Sequence, residues 1–348
     1  MRRLPIFFLL DVSESMVGDN HRQMQQGVER LVKKLRTDPH ALETVYLSVH
    51  VFAGKAKTMA PLTELAMFYP PRLPIGAGTS LGEALNHLRA EIKKNVVKTT
   101  PEKKGDWRPI VYLMTDGAPT DDFEEAIIKW NEEIGNSVTT VAIGIGKYAS
   151  LETLKRITEH VFLLDADSEQ KFNSFIDWLT MSIVAQSRSV STSSGGVSLA
   201  KLDTDIMSLV KDIGNANKVD ENFVILNGRC NKTKLPYVIK YERSLPRFEN
   251  TNVEMGRGKY FLSGVFPLEE DYFELSDSRC LTRTIDSSEL LGAPGCPHCG
   301  NPYGFAVCSC GQIMCIRGEG DVFCPTCKKM CSFGEASSEG FEVSRGRG

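Results

Sequence analysis

Apolar runs alternate with amphipathic stretches along the first half of the chain. Leu4–Leu10 is continuously apolar, the signature of a strand buried on both faces. Over residues 21–37, Met24, Val28, Leu31, Val32 and Leu35 recur at a helical period. Val45–Ala53 alternates as a strand does, and Ser80–Val97 puts Leu81, Ala84, Leu85, Leu88 and Ile92 on one helical face. The pattern then predicts a strand at Pro109–Met114, a helix at Asp121–Ile134 and a strand at Val138–Ile145. A short helix at Leu151–Glu159, a strand at Val161–Leu164 and a closing helix at Ser168–Gln186 complete it. This order describes an α/β domain over 1–186, a doubly wound, mostly parallel sheet with helices on both faces.

The pattern changes at 187. Residues 187–214 read as a linker, because Ser187–Ser198 is rich in Ser and Gly, although Leu202–Ile213 fits a short helix. From 215 to 335 the strand-like runs are short: Phe223–Leu226, Tyr237–Tyr241, Lys259–Phe266 and Tyr272–Leu275, separated by Asn-Gly, Pro and Gly. A second, β-rich domain is expected there. The polar residues 336–348 are expected to form a flexible tail.

A chain of 348 residues with 41% hydrophobic and 24% charged residues has ample material for such cores. Its net charge of -3 argues against general binding to nucleic acid or a membrane surface. No apolar run approaches the ~18 residues of a membrane span, and Leu4–Leu10 stops at Asp11 without a cleavage site. The expected location is the cytoplasm, where thiols stay reduced.

Two constellations carry candidate chemistry. The first lies at the carboxyl ends of the strands, where open parallel sheets bind ligands. The first strand ends in Asp11-Val12-Ser13-Glu14-Ser15, the Pro/Gly-rich loop from Pro70 to Gly78 delivers Thr79, and Ile110–Met114 runs into Thr115-Asp116-Gly117. Asp11, Ser13, Ser15, Thr79 and Asp116 form an all-oxygen set of two carboxylates and three hydroxyls, suited to Mg²⁺ or Mn²⁺. Each residue taken singly is equally at home as a helix cap or a turn residue; their convergence on one rim makes the metal reading. A metal with an open coordination position can take up an acidic side chain from another protein.

The second constellation is cysteine. Of ten, Cys230 and Cys280 are isolated, while the other eight lie between 296 and 331. Cys296-Pro-His-Cys299 and Cys324-Pro-Thr-Cys327 are two C-x-x-C pairs, as in a ribbon-like tetrahedral Zn²⁺ site. A ribbon would use those four and leave Cys308, Cys310, Cys315 and Cys331 for a second Zn²⁺; a cross-braced arrangement would exchange partners. His298, inside a knuckle, reads as solvent-facing, and Cys230 as a buried thiol. So small a segment has too little apolar surface to fold unaided, so the one or two ions would have a structural role.

The D-x-S-x-S, Thr and Asp elements resemble the metal-ion-dependent adhesion site of von Willebrand factor A domains, with all five positions matched. The following Asn227-Gly-Arg-Cys230, Lys232-Thr-Lys234 and Pro236-Tyr237, and then the dense cysteines, resemble the TerY-type proteins of tellurite-resistance systems. That resemblance implies a zinc-ribbon-like C-terminal domain over about 215–335, in which Cys230 is a candidate for metal binding although its spacing alone reads as a buried thiol. It also implies a scaffold in stress signalling, serving a Ser/Thr kinase and a PP2C-type phosphatase.

The reading that follows is a non-enzymatic, cation-dependent protein-interaction module whose partner supplies an acidic residue. Two alternatives stand beside it. A nucleic-acid-binding ribbon is disfavoured because 296–331 holds only Arg317, Lys328 and Lys329 as cations, so nucleic acid is not an expected partner; nor is a membrane. A Mg²⁺-dependent phosphotransfer enzyme would want a second acid two residues after Asp11, where this chain has Ser13, and no phosphate-binding G-x-x-x-x-G-K loop is present. His21, His40, His50 and His160 are scattered, and His87 is expected to face solvent or the sheet.

Overall fold

The strand β1 (Leu4–Asp11) is buried at every position, as the centre of a parallel sheet covered on both faces requires. It pairs in parallel with β2 (Val45–Phe52) on one side and β4 (Ile110–Thr115) on the other. The edge strand β3 (Ala56–Glu64) runs antiparallel to β2. On the far side, β5 (Thr139–Ile145) and β6 (Val161–Leu164) continue the parallel run, and β7 (Met207–Leu209) closes it antiparallel. The sheet order is β3-β2-β1-β4-β5-β6-β7. This computed structural model describes residues 2–102, 104–116, 118–146, 149–164, 169–191, 207–209, 223–244, 259–276, 283–334 and 340–345. The Ser/Gly-rich 192–198, Gly117 and Cys280 lie outside the described residues, as does most of the helix expected at Leu202–Ile213, whose residues 207–209 are a strand instead.

Alternation along β1 assigns its side chains to two layers. Phe7 and Leu9 join Val111, Leu113 and Ala142 under α3 (Leu81–Asn95), α4 (Glu124–Trp130) and α5 (Leu151–Ile157). Phe8 stacks on Tyr112 on the opposite face, where Phe162 of β6 meets Trp178 of α6 (Glu169–Ser191). The helix α1 (Asp19–Leu35) packs on α6 through Gly27, whose missing Cβ would lie 2.8 Å from both Ile176 and Phe172. Between α1 and β2, α2 (Pro39–Thr44) starts with Pro at its first turn and an Asp38 cap accepting from Ala41 N at 2.9 Å. The helix expected at Asp121–Ile134 ends as α4 at Trp130 and widens into a π turn over Asn131–Gly135, which keeps both Trp130 and Ile134 in the core.

His87 of α3 meets His50 of β2, although they are 37 positions apart. Thr58 Oγ1 bridges them, 3.1 Å from His50 Nδ1 and 2.9 Å from His87 Nε2, and Ser48 Oγ lies 2.8 Å from His50 Nε2. Sequence spacing gave no hint of this pair, because sheet and helix bring it together.

Packing divides the chain into two units, Met1–Pro74 with Thr79–Asn217, and Ile75–Gly78 with Lys218–Gly348. The second unit is built on β8 (Phe223–Arg229), β9 (Pro236–Ser244) and β10 (Lys259–Pro267), a meander of antiparallel neighbours. The segment Tyr272–Leu275, expected as a strand, is the single helical turn α7. It buries Tyr272 and Leu275, three apart, a helical and not a strand spacing. Next come β11 (Arg283–Asp286), β12 (Leu290–Leu291), β13 (Tyr303–Val307) and β14 (Ile313–Ile316). The sheet order is β12-β10-β9-β8-β14-β13. A hairpin of β15 (Gly320–Phe323) and β16 (Met330–Phe333) follows. Where a flexible tail was expected, β17 (Glu342–Arg345) pairs with β11, burying Val343 opposite Ile285. The apolar Val343 in that polar tail is its anchor.

Tyr237 fixes the centre of this sheet. Its ring lies over its cross-strand partner Gly228, and its hydroxyl donates to Gly304 O at 2.6 Å. A Cβ at Gly228 would be 2.3 Å from that ring. Gly228→Ala is therefore expected to destabilise the second unit by about 1–3 kcal/mol, read from urea unfolding. An unchanged midpoint would show that the ring can retreat.

The histidine pair generates a pH dependence. Burial, and secondarily the neighbouring His87, depresses His50 from an ordinary 6.5 to about 3. The unfolded chain then binds a proton that the folded chain refuses, so stability is lost as pH falls below ~6.5, by about 2 kcal/mol at pH 5. His50→Gln should remove that increment from the difference in unfolding free energy between pH 7.5 and pH 5. An undiminished difference would assign the dependence to other groups.

Candidate metal centres

The oxygen site is built from strand ends. Asp11 is the last residue of β1 and Asp116 follows β4, its neighbour in the sheet, so their positions are fixed by the parallel register that sets Leu10 beside Met114. Ser13 and Ser15 lie at the entry to a 3₁₀ turn, Glu14–Met16, that bends the chain back toward the rim. Ser13 N donates to Asp11 Oδ1 at 2.9 Å. The Ser13 and Ser15 hydroxyls are 2.9 Å apart, and Ser15 Oγ donates to Asp116 Oδ1 at 2.7 Å. One continuous polar chain thus joins the two carboxylates, and all four residues are buried.

Thr79 arrives from a different direction. Gly78 adopts φ +91°, a conformation glycine takes without strain, immediately before it. Thr79 N donates to Thr120 Oγ1 at 2.9 Å, and Thr79 O accepts from Thr120 N at 2.8 Å. Ser80 N, next along, donates to Ala53 O at 2.7 Å, anchoring the start of α3 to the end of β2. Thr79 is buried and lines one small cavity with Thr115, whose hydroxyl donates to Asp11 Oδ2. The structure therefore joins Asp11, Ser13, Ser15 and Asp116 directly and sets Thr79 beside them across Thr115. Thr115 and Thr120 escaped the sequence reading. Thr115 stands next to a predicted ligand, but nothing in the sequence says that its hydroxyl turns toward Asp11.

Electrostatics explains what this arrangement suits. Burial, and then the charge of Asp116, pushes Asp11 up from 3.8 to about 7. Two buried carboxylates this close resist being charged together, and a divalent cation between them reverses that resistance. Three neutral hydroxyls and two carboxylates match a small hard ion and suit zinc less well. The donor set fits the cation that the sequence implies.

The thiol sites are assembled from repeated backbone turns. Cys296 N donates to Asn301 O at 2.8 Å, and Gly300 N returns to Cys296 O at 3.0 Å. Cys324 N with Lys329 O at 2.9 Å and Lys328 N with Cys324 O at 3.1 Å repeat that closure. The same turn occurs a third time at Cys230, with Leu235 O at 2.9 Å and Lys234 N at 3.0 Å. At Cys308 it is one residue shorter, closing through Gln312 O and Gly311 N. Gly300, Lys328, Lys234 and Gly311 all take positive φ, at +72°, +61°, +64° and +85°. These are four metal-type knuckles, and at Cys230 the place of a second cysteine is taken by Thr233.

The thiols divide into two sets, Cys230, Cys296, Cys299 and Cys315, and Cys308, Cys310, Cys324 and Cys327, each with its sulfurs within 4.8 Å of one another. Four sulfurs at 2.3 Å around a tetrahedral ion lie about 3.8 Å apart. The sulfur pairs Cys299–Cys315 at 3.6 Å, Cys230–Cys315 at 3.9 Å, Cys308–Cys327 at 3.7 Å and Cys310–Cys324 at 3.7 Å fit that edge. Backbone and amide donors support the first set, Thr233 N to Cys230 Sγ and Asn231 N to Cys315 Sγ at 3.4 and 3.3 Å. The ribbon pairing of Cys296 and Cys299 with Cys324 and Cys327 is corrected. β8 and β14 run in parallel and carry Cys230 and Cys315 to the first knuckle, while the β15–β16 turn carries Cys324 and Cys327 to Cys308 and Cys310. Cys230 is thus a cluster member and not merely a buried thiol, and Cys331 falls outside both sets. The signal for Cys230 was present in the sequence, since Cys230…Lys234 repeats the spacing of Cys324…Lys328. His298 stays out of the cluster, with Nε2 2.7 Å from Pro236 O.

Residues 6–177 match the von Willebrand factor type A domain, and residues 220–348 match the TerY-C metal binding domain. Among solved structures, the chain is similar to proximal thread matrix protein 1 of the mussel byssus, at 23% identity over 52% of this chain and 48% of that one, TM-score 0.38. One structure of that protein is described with a zinc-occupied MIDAS motif. The pilus adhesin SpaC of Lactobacillus rhamnosus GG is similar at 13% identity over 53% of this chain and 31% of its own, TM-score 0.43. A von Willebrand factor type A protein of Catenulispora acidiphila is similar at 16% over 53% and 43%, TM-score 0.39. The chain thus spans about half the length of the byssus protein. No curated protein matches it. Among the described residues, no helix is long and apolar enough to cross a membrane. The chain thus carries a von Willebrand factor type A domain followed by a TerY-C metal binding domain, the TerY-type order that the sequence suggests.

Proposed function

We propose that the chain is a non-enzymatic, cytoplasmic interaction module whose oxygen site holds Mg²⁺ and recruits an acidic side chain of a partner protein. The observation that carries this reading is the buried bridge Asp11–Ser13–Ser15–Asp116, in which two mutually repelling carboxylates are held together by hydroxyls. The bound cation supplies Lewis-acid attraction for a carboxylate at whatever position the chain and water leave open. Asp11 and Asp116 balance the charge of the ion, Ser13, Ser15 and Thr79 contribute neutral oxygens, and Thr115 and the Ser13 amide hold Asp11 in place. The TerY-type architecture extends the reading to partners: a Ser/Thr kinase and a PP2C-type phosphatase, gathered by this chain in a tellurite or stress response. Ser13 at the position where an aspartate-based phosphotransferase places its acid favours binding over catalysis.

In the second domain we assign Zn²⁺ to both thiol sets, with a structural role, since four thiolates close the tetrahedron and leave no position for water. The metal would tie the sulfur-bearing turns to one another and to the apolar cluster beside them.

Capture of partners from a native extract, with and without added Mg²⁺, tests the first part. Asp11→Ala and Asp116→Ala should each abolish Mg²⁺-dependent capture while leaving zinc content unchanged. Capture that persists in both variants would remove the proposal. Metal analysis tests the second part: two zinc ions per chain are expected, one per set. Cys230→Ser and Cys310→Ser should each lower the content to one. A Cys230→Ser protein that keeps both ions would restore the ribbon pairing.

A further inference from the structure

Cys331 lies outside both four-thiol sets, yet its Sγ is 3.2 Å from Cys308 Sγ. That separation is shorter than the about 3.8 Å edge of a zinc tetrahedron, and shorter than the 3.6–3.9 Å sulfur pairs within the sets. It is a thiol waiting beside a ligand. Cys331 sits on β16 opposite Val322, in the same hairpin whose turn holds Cys324 and Cys327, so its place is set by the register that builds the site. A disulfide needs the two sulfurs to close by about 1 Å, within reach of side-chain rotation.

The two sets differ in how far they can be reached. Cys230, Cys296 and Cys315 are buried within the apolar cluster of Tyr237, Tyr241 and Ile239. In the second set Cys308 and Cys324 are buried, but Cys310 is exposed and Cys327 half-buried, and Cys331, half-buried as well, gives access to Cys308 from outside the set. Among the described residues, the first set has no fifth cysteine to accept a bond.

We propose that Cys331 makes the second thiol set a peroxide-sensitive zinc site, in which oxidation joins Cys331 to Cys308 and releases the ion. The proposal rests on the assignment of zinc to that set. Hydrogen peroxide is the oxidant. The Cys331 sulfur attacks one peroxide oxygen, the O–O bond breaks, hydroxide leaves and Cys331 becomes the sulfenic acid. The Cys308 sulfur then attacks the sulfenic sulfur. The S–S bond forms, the S–O bond and the Zn–S bond break, and a second hydroxide leaves. The proton of the Cys331 thiol converts one hydroxide to water, so two sulfurs lose two electrons and one peroxide is reduced. Zinc is left with three thiolates and an open position, through which water and a competing chelator displace it. A dithiol reductant reverses the change by exchange at the disulfide.

The experiment uses the full chain, loaded with zinc and freed of reductant, beside its Cys331→Ser variant. Zinc content is measured first, then release into a chromogenic chelator during peroxide exposure, with disulfides mapped by peptide mass spectrometry. The wild-type chain is expected to release one of its two ions with a Cys308–Cys331 disulfide, and to rebind it after reduction. Cys331→Ser is expected to start with both ions and keep both over the same exposure. Equal release from the variant, or a disulfide joining other cysteines, overturns the proposal while leaving the zinc assignment intact. A variant that starts with one ion makes Cys331 a ligand and overturns it as well. A wild-type chain with no ion at the second set overturns both readings together.

Discussion

Donor groups packed too closely for all of them to be charged at once are the constraint around which both units are arranged. In the first, Asp11 and Asp116 are buried on adjacent strands, and the parallel register leaves them no freedom to separate. In the second, eight sulfurs are gathered into two sets by backbone turns. Such arrangements cost free energy while the donors are alone and return it when a cation arrives. The hydrogen bonds around them keep the geometry: the Ser13 amide and Thr115 hydroxyl on Asp11, and the amides of Thr233 and Asn231 on sulfur.

The legible part of the sequence was the part written in short-range periodicity. The unbroken apolar run from Leu4 to Leu10 could only be a central strand, and a central strand must end at a rim, so Asp11 was placed at a site by position alone. The same logic placed Asp116 after β4. Thr115 was not legible, because whether a strand-end hydroxyl turns inward depends on its neighbour and not on its own run. His50 and His87 were not legible for the same reason: period-2 and period-3.6 patterns each locate a side chain on its own element, while the meeting of two elements is a tertiary fact.

The thiol pairing, open between two arrangements in the sequence, was illegible for a different reason. Two C-x-x-C motifs invite the assumption that knuckles pair with one another, since sequence shows motifs and hides sheet topology. Here the parallel pairing of β8 with β14 brings Cys230 and Cys315 side by side from 85 residues apart, and the first knuckle closes on them. A reading that counted backbone turns in place of cysteines would have come closer. Lys234 and Lys328 occupy the same turn position, and both bear the strain of positive φ that Gly300 and Gly311 avoid. Val343 makes the same point at the other end of the domain, where Phe341 and Val343, apolar residues in a largely polar tail, dock a strand.

The two kinds of site also sort metals by donor softness without further machinery. Carboxylates and hydroxyls hold hard ions weakly enough for a partner's carboxylate to compete for the sphere, which an exchangeable contact requires. Thiolates hold zinc tightly in a closed shell, which a structural element requires. Were thiolates at the rim, no outside acid could enter; were carboxylates in the second domain, the ion would be too labile to stand in for a core. The chemistry of each donor set therefore matches the role proposed for its domain. By the same reasoning the second thiol set, with the half-buried Cys331 beside Cys308, is where we propose that a closed shell opens by a change of sulfur oxidation state and not by competition from another ligand.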